Sequence, residues 1–147
     1  MKEVTDVKLP GVKIITPKAI GDNRGGFMES YSKKDLEEAG IHVEFVQDNR
    51  SFSSKKGIVR GLHFQRNPRC QAKLLACLKG RIMDVAVDLR KDSPTYKKWI
   101  AVELSEENKK QIFIPKGFAH GFVVLSDEAE LLYKASGEYN PQADRGI

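Results

Sequence analysis

The chain has 147 residues, 31% charged and 40% hydrophobic, and is read as a single globular domain over residues 1–147. Its net charge of +5 is spread along the chain rather than gathered into Lys/Arg runs, which argues against a nucleic-acid partner; no apolar run approaches the ~20 residues of a membrane span. The two cysteines, Cys70 and Cys77, lack zinc or Cys-x-x-Cys spacing, and Met1 to Asp6 has no apolar leader, so reduced thiols and a cytoplasmic location are expected.

In chain order, Gly11 to Pro17 reads as a first strand. Asp22 to Gly26 is a turn cluster, and Phe27 to Tyr31 alternates as a short strand. Ser32 is placed to cap a helix through Lys33 to Ala39, with Asp35 in its first turn and Gly40 ending it. Phe45 to Asn49 and Lys73 to Leu78 read as strands, the second leading into a Lys79-Gly80 turn. Arg81 to Arg90 alternates: Met83, Val85, Val87 and Leu89 form an apolar face expected to pack a core. Ile82, Asp84, Ala86 and Asp88 share the other face, expected to line a polar cavity or meet solvent. Trp99 to Leu104, Gln111 to Ile114, Gly121 to Leu125 and Glu130 to Ala135 complete the strands. Evenly spaced short strands with Gly/Pro turns predict an all-β sandwich or barrel with one short N-terminal helix.

Two segments carry chemistry. Gly57 to Gln65 (G-I-V-R-G-L-H-F-Q), followed by Gln71-Ala72-Lys73 and Gly80, resembles the first motif of a cupin. Pro115 to His120 (P-K-G-F-A-H) resembles the second, which makes the expected architecture a cupin-type jelly roll. A metal-binding cupin would offer histidine at Gln65 and glutamate at Lys73. A protonated lysine has no lone pair for a metal, so no metal site is expected and a metal-dependent oxygenase is disfavoured. At these offsets Arg60, His63, Gln65, Lys73 and His120 converge on one interior. Burying several ionisable groups is costly unless they are paired or solvated, so a ligand-filled cavity is the simpler explanation. Tyr133, in a strand-like Leu131-Leu132-Tyr133-Lys134, points opposite to Leu132 and is a candidate proton donor.

The chain resembles the dTDP-4-dehydrorhamnose 3,5-epimerase family along nearly its whole length. The matching segments are D-x-R-G-x-F-x-E (Asp22 to Glu29), F-V-Q-D-N (Phe45 to Asn49) and K-G-I-V-R-G-L-H-F-Q (Lys56 to Gln65). They continue with Q-A-K-L (Gln71 to Leu74), D-V-A-V-D-L-R (Asp84 to Arg90), S-P-T-Y (Ser93 to Tyr96) and Trp99. I-P-K-G-F-A-H-G-F (Ile114 to Phe122), Tyr133-Lys134 and Y-N-P (Tyr139 to Pro141) complete the set. The resemblance implies a nucleotide-linked 4-keto-6-deoxy sugar as substrate, a homodimer exchanging an N-terminal strand, and no cofactor. It implies His63 as base, Lys73 as the cation beside the C4 oxygen, and Tyr133 as the acid opposite His63. It further implies that Arg24, Phe27 and Glu29 read the nucleotide, often across a dimer, and that Gln47, Asn49 and Arg60 contact base and diphosphate. His120 is implied as a sugar contact and Tyr139 as a residue bordering the diphosphate or the acid side.

Two departures stand out. The family's base is oriented by an aspartate in a tail after G-I-x-W, whereas this sequence ends at Gly146-Ile147 and is read as a C-terminally shortened member. Asp84 is one candidate for the orienting carboxylate. Ala76 stands where the family's Q-G-K-L-V-R carries its arginine. The alternatives are an epimerase or ketoisomerase of a GDP- or CDP-linked sugar, and a nucleotide-sugar-binding homologue with impaired turnover.

Overall fold

A computed structural model describes residues 2–147. Its strands are β1 (Lys2–Asp6), β2 (Lys13–Pro17), β3 (Ala19–Asp22), β4 (Gly25–Met28), β5 (Gln47–Ser53), β6 (Val59–Gln65), β7 (Lys73–Lys79) and β8 (Arg81–Asp88). They continue with β9 (Trp99–Ser105), β10 (Gln111–Ile114), β11 (Phe118–Val124), β12 (Ala129–Ala135) and β13 (Asp144–Gly146). The helix, α1, spans Lys33–Glu38, and Ser32 caps it as expected: the Asp35 N–H donates to Ser32 Oγ at 3.2 Å.

A six-stranded sheet in the order β1-β2-β10-β7-β12-β5 faces a five-stranded sheet in the order β13-β6-β11-β8-β9. The pairings are antiparallel, the arrangement of a jelly-roll sandwich of the cupin kind. Hydrophobic burial between the sheets is the main force joining them. Leu75, Ile112, Ile114 and Leu131 from one sheet meet Ile82, Leu104, Phe122 and Val124 from the other. On the outer face of the six-stranded sheet, Leu36 of α1 packs with Ile15, Ile41, Leu74 and Phe113. Among the described residues, the β3–β4 hairpin pairs only with itself.

Strand alternation orders this arrangement: Leu75 faces inward and Leu74 outward. Lys73 therefore shares the inward face of β7 with Leu75. Tyr133 shares the inward face of β12 with Leu131, and its registered partner Asn49 faces the same way on β5.

Several expectations need correction. The two faces of β8 are reversed. Ile82, Asp84, Ala86 and Asp88 are fully buried, whereas Met83, Val85 and Val87 are only half-buried. The carboxylates tolerate enclosure because residues outside the strand supply hydrogen-bond partners: His120 of β11 for Asp84, and Arg90, Ser93 and Thr95 of the following loop for Asp88. The strand expected over Phe27 to Tyr31 lies at β4, two residues earlier. The strand expected at Phe45 starts at Gln47 and runs to Ser53, and that expected at Gly121 starts at Phe118. Strands β3, β6 and β13 were not among the expected strands, and β1 was expected only through the resemblance. The N-terminal strand β1 pairs with β2 of its own chain. Among the described residues, no helix is long and apolar enough to cross a membrane.

Candidate active site

One end of the sandwich is filled by the apolar core; the other opens into a cavity of about 810 Å³. That volume lies within the range of small-molecule sites. His63 enters from β6, Lys73 from β7 and Tyr133 from β12, so the three expected catalytic side chains line one space from both sheets. Gln47, Asn49 and Tyr139 line it too. The Gln47 amide donates to Asn49 Oδ1 at 2.9 Å, and the Tyr139 backbone N–H donates to Gln47 Oε1 at 3.3 Å, which ties β5 to the segment after β12.

The local backbone explains how β6 presents its side chains. His63 is registered against His120 and Arg60 against Phe122, with a bulge between. The extra residue lets Arg60 and His63, three apart, share a face that strict alternation would split. Gly61 sits in this bulge with φ 101°, and a Cβ there would lie 2.6 Å from the His120 carbonyl oxygen. Arg60 itself does not line the cavity. Its guanidinium donates to the Phe52 carbonyl at 2.7 Å and to Ser53 Oγ at 3.2 Å, bridging the sheets beside Tyr133.

Burial lowers the pKa of Lys73, opposed by the negative charges of Asp84 and Asp144. Its ammonium lies 5.7 Å from the centre of the Tyr133 ring. Burial raises the Tyr133 phenol, opposed by Arg60, so the group stays protonated at neutral pH. Gln65, at a cupin ligand position, is already occupied: it donates to the Arg69 carbonyl at 2.7 Å and accepts from the Asn140 N–H at 2.9 Å. Among the described residues, no three His, Cys, Asp or Glu side chains cluster as a metal site.

Asp84 engages a different histidine from the one expected. Its Oδ1 is 2.7 Å from His120 Nε2, and both side chains are buried, so it does not orient His63. His120 lies behind the cavity wall rather than on it. Arg24, Phe27 and Glu29 lie outside the cavity lining, on and just after the β3–β4 hairpin. Arg24 pairs with Asp22, Phe27 is 74% exposed, and Glu29 pairs with Lys2.

The cavity also contains residues that sequence reasoning passed over. Asp144, brought in by the registry of β13 with Gln65, lines it, as do Arg66, Lys91, Cys70 and Gln71. The cations at Arg66 and Lys91 give its mouth positive charge, suited to an anionic ligand. Their presence was visible only as part of the overall basic surplus. Cys70 is half-buried at this mouth, whereas burial pushes the Cys77 thiol up to about 11, leaving it inert at neutral pH.

The sequence profile of the dTDP-4-dehydrorhamnose 3,5-epimerase family matches residues 6–147. A dTDP-4-dehydrorhamnose 3,5-epimerase of Shigella flexneri is 56% identical over 98% of this chain and 80% of its own. The crystal structure of the Bacillus anthracis dTDP-4-dehydrorhamnose 3,5-epimerase, with TDP and pyrophosphate bound, superposes with a TM-score of 0.98. It is 46% identical, covering 100% of this chain and 84% of that one. A Legionella pneumophila dTDP-6-deoxy-D-glucose-3,5-epimerase, in complex with dTDP-4-keto-L-rhamnose, gives 0.95 at 48% identity, covering 100% and 78%.

Proposed function

The chain belongs to the dTDP-4-dehydrorhamnose 3,5-epimerase family, and from that premise we propose that it epimerises a dTDP-linked 4-keto-6-deoxy sugar at C3 and C5 through an enolate, without a cofactor. The observation that carries this reading is the meeting of His63, Lys73 and Tyr133 in one cavity, the histidine on one sheet and the other two on the facing sheet. The C4 carbonyl acidifies the hydrogens on C3 and C5. His63, as the base, takes one of them, and the carbon's electron pair moves to the C4 oxygen. The Lys73 ammonium meets charge that exists fully only in the enolate, so it favours the transition state over the ground state. Tyr133 then returns a proton from the opposite face, inverting the carbon. His63 loses its acquired proton and the Tyr133 phenolate regains one through solvent, which resets the site for the second carbon.

The diphosphate lies towards Arg66 and Lys91, with Gln47, Asn49 and Tyr139 holding the nucleoside. Arg60 and His120 support this wall from behind. Arg24, Phe27 and Glu29 serve the nucleotide of a second subunit in a homodimer. The support for a dimer is an apolar outer face on the five-stranded sheet. There Val59, Val123 and Met83 are registered across three strands, and Val87 lies against Trp99. Val59 and Trp99 are 69% and 66% exposed.

Incubation with dTDP-4-keto-6-deoxyglucose in D₂O tests the reaction. Deuterium at both C3 and C5, with the dehydrorhamnose stereochemistry in the product, is expected. Absence of label at both positions sinks the reading, and label at one position alone would make the protein a mono-epimerase.

A further inference from the structure

The segment after β12 carries Tyr139 to the cavity and leads into β13, yet it belongs to neither strand. Among the described residues, no backbone group of Gly137, Glu138 or Tyr139 pairs with another backbone group. Backbone N–H and C=O groups at a partly buried wall need partners. Here glutamine side chains supply them. Gln71 Nε2 donates to the Gly137 carbonyl at 2.5 Å, and Gln65 Nε2 donates to the Glu138 carbonyl at 3.4 Å. Gln47 Oε1 accepts from the Tyr139 N–H at 3.3 Å, and Gln65 Oε1 accepts from the Asn140 N–H at 2.9 Å. Four successive residues are thus held by three amides. These come from β5, from β6 and from the loop before β7, and all three line the cavity.

Gln65 is the central member. It is buried and both its amide hydrogens are used, because Nε2 also donates to the Arg69 carbonyl at 2.7 Å. Carbonyls only accept and a backbone N–H only donates, so these partners fix which end of the amide is which. Gln65 thereby ties the 66–70 loop, which brings Arg66 to the mouth, to the 137–140 strap, which brings Tyr139. Gln71 hydrogen-bonds the strap alone. The Tyr139 ring is 60% exposed, so packing does little to place it and its backbone sets its position. Asn140 ends the strap by turning the chain: its Oδ1 accepts from the N–H groups of Gln142 and Ala143 at 3.0 and 3.1 Å, just before β13.

We propose that Gln65 and Gln71 are positioning residues acting through Tyr139: their amides hold the 137–140 strap where its ring meets the nucleoside, and so set nucleotide affinity rather than the chemical step. This rests on the reading that Tyr139 holds the nucleoside. His63, Lys73 and Tyr133 are fixed by the ladders of β6, β7 and β12, which do not include the strap, so their geometry survives its release. At the position where a metal-binding cupin offers a histidine, this chain therefore places an amide that anchors the cavity wall.

The test is a double-mutant cycle on dTDP binding, measured by calorimetry, with Gln71→Met and Tyr139→Ala made singly and together. Methionine keeps the length of glutamine and removes its donors. Gln71→Met is expected to weaken binding about fivefold, as for loss of one neutral hydrogen bond, and the double variant to bind no worse than Tyr139→Ala. Additive losses, or a Gln71→Met variant that binds like the wild type, overturn the proposal. Normal binding by Tyr139→Ala overturns it together with the reading of Tyr139. Turnover gives a second readout. KM should rise in Gln71→Met, and more in Gln65→Met, which frees loop and strap together, while kcat changes far less. A fall in kcat at unchanged KM also overturns the proposal. Failure of deuterium labelling beside an intact cycle would sink the epimerase reading and leave this one standing. Should Gln71→Met fail to fold, Gln71→Asn, one methylene short of the Gly137 carbonyl, takes its place in the cycle.

Discussion

Substituting Asp88 separates a structural carboxylate from the chemical ones. Its Oδ1 accepts from Arg90 Nε at 3.0 Å, and its Oδ2 accepts from Ser93 and Thr95, each at 2.6 Å. Burial alone would raise this carboxyl, but those hydrogen bonds and the Arg90 backbone N–H together hold it well below the usual carboxylate range. A group depressed in the folded state stabilises it above the unfolded pKa of about 4 and loses that contribution as pH falls through the folded value. Asp88→Asn should therefore cost about 2–3 kcal/mol at neutral pH, as for charge-assisted hydrogen bonds, with the wild-type advantage vanishing in strong acid. Thermal unfolding at pH 7 and near pH 2 measures it; an equal gap at both pH values would count against the assignment. In contrast, His63→Ala and Tyr133→Phe should leave stability nearly unchanged and lower kcat by about 10²–10⁴. They should also differ in kind. His63→Ala abolishes deuterium uptake, whereas Tyr133→Phe permits abstraction and return on the same face, so exchange outlasts inversion. Loss of both readouts in both variants would remove the division into base and acid.

Elements differ in how far their sequence declares them. Helix α1 was legible because its signals are local: a Ser32 cap, an acidic first turn and Gly40 at φ 86° just past its end. Strands β7 and β12 were legible from their residues, whereas the convergence of Lys73 and Tyr133 on His63 was expected only from the cupin offsets and the family resemblance. The faces of β8 were misread because periodicity counts Asp84 and Asp88 as polar, while their partners arrive from β11 and the loop after β8. Strands β1, β3 and β13 are short and owe their existence to a partner strand, which no local pattern records. Asp144 was missed for that reason. The bulge in β6 also escaped periodicity, although Gly61 hinted at it. Gly61→Ala tests what the bulge does. Alanine is strained at φ 101° and would collide with the His120 carbonyl and with Gly121 Cα at 2.7 Å. A cost of about 2–5 kcal/mol is expected from strain and overpacking together, with kcat falling as His63 moves. Gly57→Ala is the control: its φ of 88° is equally strained, but the added methyl meets nothing within 4 Å and the residue lies before β6. Equal losses in both variants would mean that the close approach of β6 to β11 is unimportant.

At the scale of the whole molecule, the sandwich buries its acids and leaves an oily sheet outside. The outer surfaces of β6, β11, β8 and β9 carry Val59, Val123, Met83, Val85, Val87 and Trp99 where a solvated sheet would alternate to polar residues. A contiguous apolar patch of this kind marks an interaction site. In the proposed homodimer a second copy of the same face would satisfy it by a two-fold contact, in which each patch is its own complement. Stable interfaces bury roughly 1,200–2,000 Å² in total, an area within reach of one sheet face per partner. Sedimentation should therefore give twice the 16.5 kDa of one chain. Val85→Glu should halve that mass without unfolding the protein, because the new charge points to solvent once the subunits part. If the β3–β4 hairpin serves the neighbouring subunit's nucleotide, this monomer should also show a raised KM while kcat is less affected, since His63, Lys73 and Tyr133 all come from one chain. A wild type that sediments as a monomer, or a Val85→Glu variant that remains dimeric, would mean that the apolar face serves some other contact. A monomer with unchanged KM would instead confine the whole substrate site to a single subunit and leave Arg24, Phe27 and Glu29 without a part in binding.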